Sequence, residues 1–551
     1  VEHAAMEGRR ICQWDKDSCS DAGFLKIDLL GLGMLSAVEE CVEQIACKHS
    51  EPIDLSRIPL DDAAVYGEIQ AADTVGVFQI ESRAQMQSLL RTRPEDLDDL
   101  TVQVALVRPG PIQGGAVNPY IDRRRKRRED PAFEIEYDHP LLEEPLRDTL
   151  GVVVFQDQVL DVSMALAGFS VGEAEGLRRA MSRKRSRDAL ESYRHRFLEG
   201  TSARGVASST AEEVFEKLLG FSSFGFPKSH AAAFALLAYQ SAWLRHHHPA
   251  EFLCALLNAQ PMGFYPPASL VRDGQRRKVS VDRPDVNRSD VKCILEGPSV
   301  RIGLGFIRGL GADSAEAFVE ERRRAGPFRG VHDLAQRAPL DRPALEALVV
   351  SGACDSFGWP RRQLLWRLGL ASRSVAAGER GEARQLALPL EPTSEIPQLP
   401  AETTWETMLS DYRAVGISLN AHPLELLRAY LPDGTVSSRD ILALPHRRGV
   451  AVAGLVVARQ RPETANGVVF MLLEDEFGQV NLIVPPPTYG RFRALVRSEP
   501  LLLARGRYEH VGENRNIVAE EFTSLVPLAR RVASDIDVRA ALPAAHSFGR
   551  R

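Results

Sequence analysis

The sequence predicts a multidomain α+β protein that is helical over most of its first half and rich in β-strands near its C-terminus. Its 551 residues are too many for one hydrophobic core and enough for several domains. Apolar residues recur at helical spacing from about residue 34 to residue 260. From residue 449 onward the pattern changes to short β-branched runs separated by Gly- and Asp-rich turns.

Charge and cysteine content exclude several classes of protein. The net charge of −6 gives no support for a nucleic-acid partner, although basic residues cluster at 123–128 (RRRKRR) and 178–187 (RRAMSRKRSR). Such clusters could bind phosphates or form solvated helix faces. The seven cysteines never have C-x-x-C spacing, which argues against a disulfide framework and a structural zinc site. No apolar run could span a membrane, and we expect a cytoplasmic protein.

The helical region follows a short strand-like segment at residues 24–30 (FLKIDLL), in which Lys26 and Asp28 share one face. A carboxylate and an amine on one face could hold Mg²⁺ beside a phosphate, because Mg²⁺ shares its coordination positions with phosphates and water. Spacing alone favours a simple ion pair on an edge strand. Two-metal phosphoryl transfer also needs more than one carboxylate, and this strand supplies only one.

Two later helices have clear start signals. One is predicted to begin after Pro227, with Ser229 as its capping residue. The next is predicted to open at Pro249, in the first helical position that favours proline.

A glycine-rich hairpin between two helical patterns is predicted over residues 301–325 (RIGLGFIRGLGADSAEAFVEERRRA), with a degenerate second copy over residues 340–357. This is the helix-hairpin-helix pattern, which presents backbone N–H groups to DNA phosphates without reading base sequence. The candidate contacts are Arg308, Gly309 and Gly311. The alternative is a turn that serves only helix packing.

The C-terminal strands, from 449–460 to 515–526, suit a small barrel of the OB-fold type. Phe470 and Tyr508 are candidate aromatic side chains for stacking on a single-stranded template, although the core of the barrel is the slightly favoured place for both. Between the hairpins and the barrel, residues 371–403 are rich in Ala, Glu, Arg and Pro and predict a linker.

The segment KIDLLGLGML (26–35) resembles the palm strand of bacterial C-family DNA polymerases, the DNA polymerase III alpha subunits and their relatives. Further blocks resemble that family in order along the chain, and among them are GVFQIESRAQM (76–86), ALVRPGPIQGG (105–115), GVVVFQDQVL (151–160), LRRAM (177–181) and FGFPKSHAAAFALLAYQSAWL (224–244). The resemblance covers essentially the whole chain. It implies an Mg²⁺-dependent nucleotidyltransferase in which Asp28 is the third metal-binding carboxylate and Lys26 contacts the triphosphate. The other two carboxylates would lie upstream of Val1.

The same resemblance implies a set of basic residues along the nucleotide and template path of the fingers. Their positions in this sequence are Arg178, Arg179, Lys228 and His230, and cations of this kind would neutralise a triphosphate. His230 could instead be a packed core histidine. Arg83 and Arg108 match less specifically, and each could simply fix a loop by donating to backbone carbonyls.

The resemblance also divides the chain into segments. They are the end of the palm (1–33), mostly helical fingers (34–285), a tandem helix-hairpin-helix module (286–370), a linker with a short helical stretch (371–446), the OB-fold (447–530) and a tail (531–551). Because the chain starts at Val1 inside sequence that reads as structured, we expect it to be the C-terminal part of a longer protein.

Three other signals have simpler explanations. The run His246, His247 and His248 imitates a metal site but suits a surface helix end. Asp15 and Asp17 have the D-x-D spacing of metal ligands, but in the family this segment precedes the third carboxylate and is not the catalytic pair. The K-x-D sequence resembles the adenylation motif of DNA ligases, but Leu29 replaces the required glycine, the order of modules differs and the zinc cysteines are missing.

A peptide in the linker resembles the sequences with which bacterial proteins bind the sliding clamp. Its residues are Gln385, Leu386, Leu388 and Leu390, and a short exposed peptide with leucine anchors suits a groove on a ring-shaped partner. Pro389 and the missing aromatic end weaken the match.

The segment over residues 13–37 resembles the error-prone, damage-inducible branch of the family more than the replicative one, and few residues follow the predicted barrel. That branch implies translesion synthesis on primer-template DNA with deoxynucleoside triphosphates, beside a Y-family-like partner (ImuB) and a RecA-like accessory protein. The alternatives are a replicative alpha subunit truncated at both ends and, from another class, a non-catalytic DNA-binding half-enzyme that lacks two of three metal carboxylates.

Overall fold

The computed structural model describes residues 2–3, 10–11, 14, 18–19, 22–23, 32–49, 53–107, 116–182, 187–220, 226–263, 265–376, 397–461, 465–511, 514–533, 537–543 and 545–548. The α-helices of these residues are α1 (Leu32–His49), α2 (Ala63–Gln70), α3 (Arg83–Thr92), α4 (Leu97–Leu106), α5 (Val117–Glu129), α6 (Glu143–Leu146), α7 (Gln156–Ala167), α8 (Val171–Ser182), α9 (Arg187–Ala203), α10 (Ser208–Gly220), α11 (Lys228–His247), α12 (Pro249–Asn258), α13 (Pro267–Arg276), α14 (Ala312–Ala325), α15 (Val331–Arg337), α16 (Arg342–Val350), α17 (Arg361–Ala376), α18 (Thr404–Ala414), α19 (Pro423–Leu427), α20 (Pro486–Ser498), α21 (Val526–Val532) and α22 (Val538–Ala541).

The strands are β1 (Glu2–His3), β2 (Arg10–Ile11), β3 (Ser280–Asp282), β4 (Ile294–Glu296), β5 (Ser299–Arg301), β6 (Thr435–Val436), β7 (Gly449–Gln460), β8 (Val469–Glu474), β9 (Gln479–Val484), β10 (Leu501–Val511), β11 (Asn514–Ser524) and β12 (His546–Phe548). The chain divides into two compact units, the first made of residues 1–32 and 92–237 and the second of residues 33–91 and 238–551. This arrangement is the multidomain α+β fold that the sequence predicts.

The first unit is helical, and its core lies among α6 to α10. Leu166 of α7, Leu177 of α8, Phe197 of α9 and Phe215 of α10 are all almost completely buried there. Helix α7 ends at Gly168, whose φ of +66° gives the left-handed C-cap that glycine adopts without strain.

The barrel in the second unit has the OB-fold topology. Strand β7 pairs with both β8 and β10, β8 pairs with β9, and β11 pairs antiparallel with β10 and parallel with β9, which closes five strands into a ring. Helix α20 lies between β9 and β10 in sequence, as the OB-fold requires. The predicted strand over residues 449–460 is confirmed to the residue by β7. The tail adds β12, which pairs parallel with β7.

The helix-hairpin-helix module has its own core, in which Phe318, Leu334, Leu348 and Leu364 have no exposed surface. The sequence predicts helices on both sides of the first hairpin, and this is wrong on the upstream side. There the chain forms strand β5 and a single 3₁₀ turn, Leu304–Phe306. Because a Cβ at Gly303 would lie 2.4 Å from the Lys292 backbone, the close packing at this point leaves no room for side chains.

Helix α11 begins before the residue that the sequence predicts as its cap. Its first residue is Lys228, and the Lys228 backbone N–H donates to Asp157 Oδ2 at 2.6 Å. Ser229 therefore lies inside the helix and is not its capping residue. The prediction for Pro249 is confirmed, because it opens α12 in the first turn.

Candidate nucleic-acid interface

The first hairpin of the helix-hairpin-helix module exposes its backbone and buries its apolar side chains. Ile307 and Leu310 are 1% and 5% exposed and pack into the module core. Gly309 and Gly311 are exposed, and Gly309 has φ +91°, in the left-handed region that favours glycine. No side chain therefore covers the backbone at these two glycines.

Helix α14 starts at this hairpin without a side-chain cap. Its N-cap residue is Gly311, which has no side chain to accept a hydrogen bond from the first turn. The first N–H groups of any helix lack intrahelical partners and carry the positive end of its dipole, which suits a phosphate oxygen. Asp313 is the acidic side chain of that turn, and its exposed carboxylate opposes this attraction.

Arg308 ties the hairpin to the end of helix α18. Its backbone N–H donates to the carbonyl oxygen of Ala414 at 2.7 Å, and its Nη1 donates to the carbonyl oxygen of Arg413 at 3.2 Å. A cation at a helix C-terminus is favoured by the dipole. The side chain remains exposed, so this tie leaves Arg308 accessible from solvent.

The second hairpin, between α16 and α17, is closed by a buried ion-pair network. Arg361 donates to Asp355 and Asp411, and a Cβ at Gly352 would lie 2.1 Å from Arg361 Nη2. This glycine therefore makes room for an arginine that is already paired. The first hairpin is the better candidate for contacts with phosphates.

The barrel aromatics occupy different environments. Tyr508 is 1% exposed and belongs to the barrel core, so it cannot stack on a base. Phe470 is half-buried on β8, where it pairs with Ile483 of β9.

Arg83 lies against the barrel through helix α3. Its Nη2 donates to Gln479 Oε1 of β9 at 3.3 Å and its Nη1 to Met86 Sδ at 3.6 Å. Burial lowers the pKa of Arg83. In the same helix, Gln87 Oε1 accepts from Asn516 Nδ2 of β11 at 3.4 Å. Within the part of the chain that the structure describes, the contacts of Arg83 are thus with side chains of its own unit and not with backbone carbonyls of a loop.

In the first unit, Arg178 and Arg179 converge on one carboxylate. Arg178 makes two hydrogen bonds of 2.7 Å to Glu175, and Arg179 Nε donates to Glu175 Oε1 at 2.9 Å. The bonds from Arg178, together with those from Arg179, outweigh partial burial and lower the pKa of Glu175 to about 2. Two cations therefore share the carboxylate of Glu175.

Lys228 stands at the start of α11 between two carboxylates. Its Nζ lies 2.6 Å from Asp148 Oδ2, and its backbone N–H donates to Asp157. The pKa of Arg178 is raised by its hydrogen bonds to Glu175 and, less strongly, by the charge of Asp157. Asp157 is thus a common neighbour of the Arg178 and Lys228 positions.

His230 is packed between two rings. Its centroid lies 4.8 Å from that of Phe226 and 4.3 Å from that of Phe234, both nearly edge-to-face. The half-buried ring supports the alternative of a packed histidine.

Sequence reasoning missed the acidic partners of these cations. Glu175 could have been found, because it precedes Arg178 and Arg179 by three and four residues, the spacing of neighbours on one helix face. Asp148 and Asp157 come from other segments, and no local spacing indicates them.

Several predicted residues lie outside the described part of the chain. They are Lys26, Asp28, Arg108, Asp15, Asp17 and the clamp-like peptide Gln385, Leu386, Leu388 and Leu390. Among the residues that are described, no group of three or more His, Cys, Asp or Glu side chains is arranged to hold a metal ion. Likewise, no helix of the described ranges is long and apolar enough to cross a membrane.

The histidine run ends a helix, as predicted. His246 Nδ1 lies 2.8 Å from Glu68 Oε1 and His247 Nε2 lies 2.8 Å from Asp62 Oδ2, and α11 ends at His247. Their ring nitrogens thus face carboxylates of helix α2 and its N-cap.

A helix-hairpin-helix module followed by an OB-fold barrel is an arrangement typical of proteins that handle nucleic acids. Residues 34–205 match the model of the bacterial DNA polymerase III alpha subunit finger domain, and residues 278–364 match that of the helix-hairpin-helix motif. The chain belongs to the bacterial DNA polymerase III alpha subunit family.

Three relatives of the chain are named error-prone DNA polymerases. The error-prone DNA polymerase of Burkholderia pseudomallei (strain K96243) is 45% identical over 549 residues, which are 96% of this chain and 50% of the relative. That of Mycolicibacterium paratuberculosis is 45% identical over 94% of this chain and 47% of the relative. That of Anaeromyxobacter dehalogenans (strain 2CP-C) is 43% identical over 98% and 48%. The chain spans about half the length of the curated relatives it matches. The predicted family and error-prone branch are confirmed.

Proposed function

We propose that this chain serves in an error-prone DNA-directed DNA polymerase, which copies primer-template DNA from deoxynucleoside triphosphates during damage-induced mutagenesis and translesion synthesis. One observation carries the proposal. Identity of 45% extends along 96% of the chain to a protein named error-prone DNA polymerase. Such an enzyme would work in the bacterial cytoplasm, beside the chromosome.

The reaction would be template-directed nucleotidyl transfer. The primer 3′-hydroxyl attacks the α-phosphate of the incoming nucleotide, a new phosphodiester bond forms and pyrophosphate leaves. Asp28 would hold Mg²⁺ and Lys26 would contact the triphosphate. When bound, Mg²⁺ would help to orient the phosphates and neutralise their charge.

Lys228 suits the binding of a triphosphate because its present ion pair with Asp148 is exposed to solvent. The side chains of Lys228 and Asp148 are 47% and 65% exposed. A pair with this exposure contributes about 0–1 kcal/mol, so exchange of the carboxylate for a phosphate costs little. Arg178 and Arg179 share Glu175, and the guanidinium of each could also form charge-assisted hydrogen bonds to a phosphate group nearby.

Template and product DNA would be held by the second unit. The exposed backbone at Gly309 and Gly311, with the uncapped first turn of α14, would bind phosphates whatever the base sequence. The barrel would add a groove for single-stranded template.

Protein partners are also part of the proposal. Gln385, Leu386, Leu388 and Leu390 would bind a sliding clamp, and a Y-family-like partner (ImuB) and a RecA-like accessory protein would assist. The resemblance of residues 385–390 to clamp-binding peptides supports the first of these.

Primer extension by the full-length protein tests the proposal. With Mg²⁺, we expect extension on an undamaged template and past an abasic site. A stall at the abasic site with rapid copying of normal DNA would instead support a replicative enzyme. This chain assayed alone is expected to bind primer-template DNA without extending it, which is the behaviour of a DNA-binding half-enzyme.

A further inference from the structure

Two tryptophans stand exposed at the end of the helix-hairpin-helix module. Trp359, two residues before helix α17, is 46% exposed, and Trp366, inside that helix, is 48% exposed. Large aromatic side chains are mostly buried in folded proteins, so two exposed indoles in one eight-residue stretch require an explanation.

Packing of helix α17 against its neighbours does not explain the exposed tryptophans. The inner face of α17 carries Leu364, Leu368 and Ala371, which are 0%, 1% and 2% exposed. The two leucines complete the core of the module with α15 and α16. Trp366 lies two positions beyond Leu364, which is about 200° around the helix and therefore on the opposite side. Its indole has no role in filling the core.

The charge of α17 points to an anionic ligand. The helix contains four arginines, at positions 361, 362, 367 and 373, and no acidic residue. Arg361 and Arg362 are neutralised by ion pairs, Arg361 with Asp411 and Arg362 with Glu406.

Arg367 lies over the exposed indole of Trp359. Its guanidinium carbon is 3.9 Å from the ring centroid of Trp359, a cation–π contact that fixes the orientation of that ring. Its Nε makes no hydrogen bond to any residue that the structure describes. The positive charge of Arg367, the residue after Trp366, is thus held against the indole of Trp359.

We infer that Trp359, Trp366 and Arg367 form a binding site for single-stranded DNA, in which bases stack on the indoles and a phosphate pairs with Arg367. Stacking is independent of base sequence, because every base has a flat aromatic face, and a neighbouring cation adds the contact to the backbone. The inference rests on the proposed function, since it assigns to DNA a surface that the hairpin contacts do not use. The charge of Arg367 favours this ligand over an uncharged apolar peptide.

Binding of a fluorescently labelled short oligo-dT to the full chain, followed by anisotropy, tests the site. Removing one stacking surface is expected to weaken binding about 5- to 100-fold, so Trp366→Ala and Trp359→Ala should each raise Kd by that factor. Trp366→Phe keeps an aromatic face and should stay near the parent. Tyr430→Ala removes an aromatic side chain that is 58% exposed elsewhere and should change nothing.

A strand of the same length and charge without bases separates stacking from other effects. With this abasic strand, the parent, Trp366→Ala and Trp359→Ala should bind equally. The inference would be overturned if the tryptophan variants lost affinity equally for both strands, or lost none for oligo-dT. It would also be overturned if an apolar peptide displaced the oligo-dT from the parent. If the parent binds duplex DNA but the tryptophan variants bind oligo-dT normally, only this inference fails. If the parent binds no DNA at all, the proposed function fails with it.

Discussion

Arg361 donates to Asp411 at 2.9 Å, and the two side chains are only 5% and 4% exposed. Asp411 also accepts from Arg283 at 2.9 Å, and Arg361 also binds Asp355. Burial disfavours the charge on Arg361, but its hydrogen bonds to Asp355 and the charge of Asp411 outweigh this and raise the pKa of Arg361. The pair joins the second hairpin to helix α18.

Loss of Asp411 should therefore destabilise the protein strongly. Asp411→Ala leaves the guanidinium of Arg361 buried beside an emptied site, and removal of one partner of a buried pair costs about 3–5 kcal/mol. Urea denaturation measures the free energy of unfolding. The control is Arg323→Ala, which breaks a more exposed pair with Asp290 and should cost no more than about 1 kcal/mol. Equal losses in the two variants would contradict the assignment.

His422 should make stability depend on pH. Burial, followed by the charges of Arg272, Arg428 and Arg276, lowers its pKa well below 6.5. The folded protein then holds a neutral ring, while the unfolded chain binds a proton below about pH 6.5. Because the unfolded state binds more protons, the free energy of unfolding falls with decreasing pH by at most about 1.4 kcal/mol per unit.

The variant His422→Asn tests this dependence, since an asparagine oxygen can replace Nδ1 as the acceptor for the Leu424 backbone N–H. Between about pH 5 and 6.5 its unfolding free energy should vary less steeply than that of the parent. His195→Asn, at a side chain that is 76% exposed, should keep the parent slope. Parallel profiles for the parent and His422→Asn would refute the role of His422.

The sequence predicts those features that local pattern determines. Strand β7 is predicted to the residue, because β-branched and other apolar residues dominate the run from Gly449 to Gln460. The start of helix α12 is predicted from Pro249. The start of α11 is not, because its acceptor Asp157 lies 71 residues away in sequence. The 3₁₀ turn before the first hairpin likewise depends on the approach of Gly303 to Lys292, which no local pattern reveals.

The candidate site also contains features that the sequence predicts and features that only the folded structure reveals. Family resemblance locates the cations Arg178 and Lys228, but only the folded chain shows that Asp157 is their common neighbour. Arg83 contacts Gln479, which lies 396 positions away in sequence. The motif around Arg83 therefore could not predict that this side chain lies against the barrel.

A carboxylate introduced at Gly311, in the first hairpin, should weaken DNA binding without lowering the stability of the protein. Gly311 has φ −65° and ψ 158°, and a Cβ there would meet nothing within 4 Å, so aspartate fits. Gly311→Asp would cap α14 and leave the free energy of unfolding unchanged or a few tenths of a kcal/mol higher. The same charge would repel phosphates, and we expect the Kd for duplex DNA to rise about tenfold.

The matched control for that variant is Gly330→Asp. Gly330 is the N-cap residue of α15 in the same module, it has an extended φ of 171°, and a Cβ there also meets nothing within 4 Å. Fluorescence anisotropy with labelled duplex should show no loss for this control. Similar losses for the two variants would mean that only net charge matters.

Arg178 should contribute to nucleotide binding in the full-length protein. A charge-assisted hydrogen bond contributes about 1.5–3 kcal/mol, so Arg178→Ala should raise the KM for deoxynucleoside triphosphates about 10- to 100-fold. Arg194→Ala is the control, because the two arginine side chains are 31% and 34% exposed and belong to the same unit. Steady-state primer extension measures both. A KM for Arg178→Ala that equals that of Arg194→Ala would remove Arg178 from the nucleotide path.

The most direct test of the proposed polymerase is primer extension by the full-length protein carrying Asp28→Asn. The parent should extend primers on undamaged and abasic templates in the presence of Mg²⁺. Asp28→Asn should extend neither, because the amide removes the negative charge that would bind the metal. Asp54→Asn, at a side chain that is 54% exposed, should behave like the parent. Extension by Asp28→Asn at the parent rate would contradict the assignment of the palm strand.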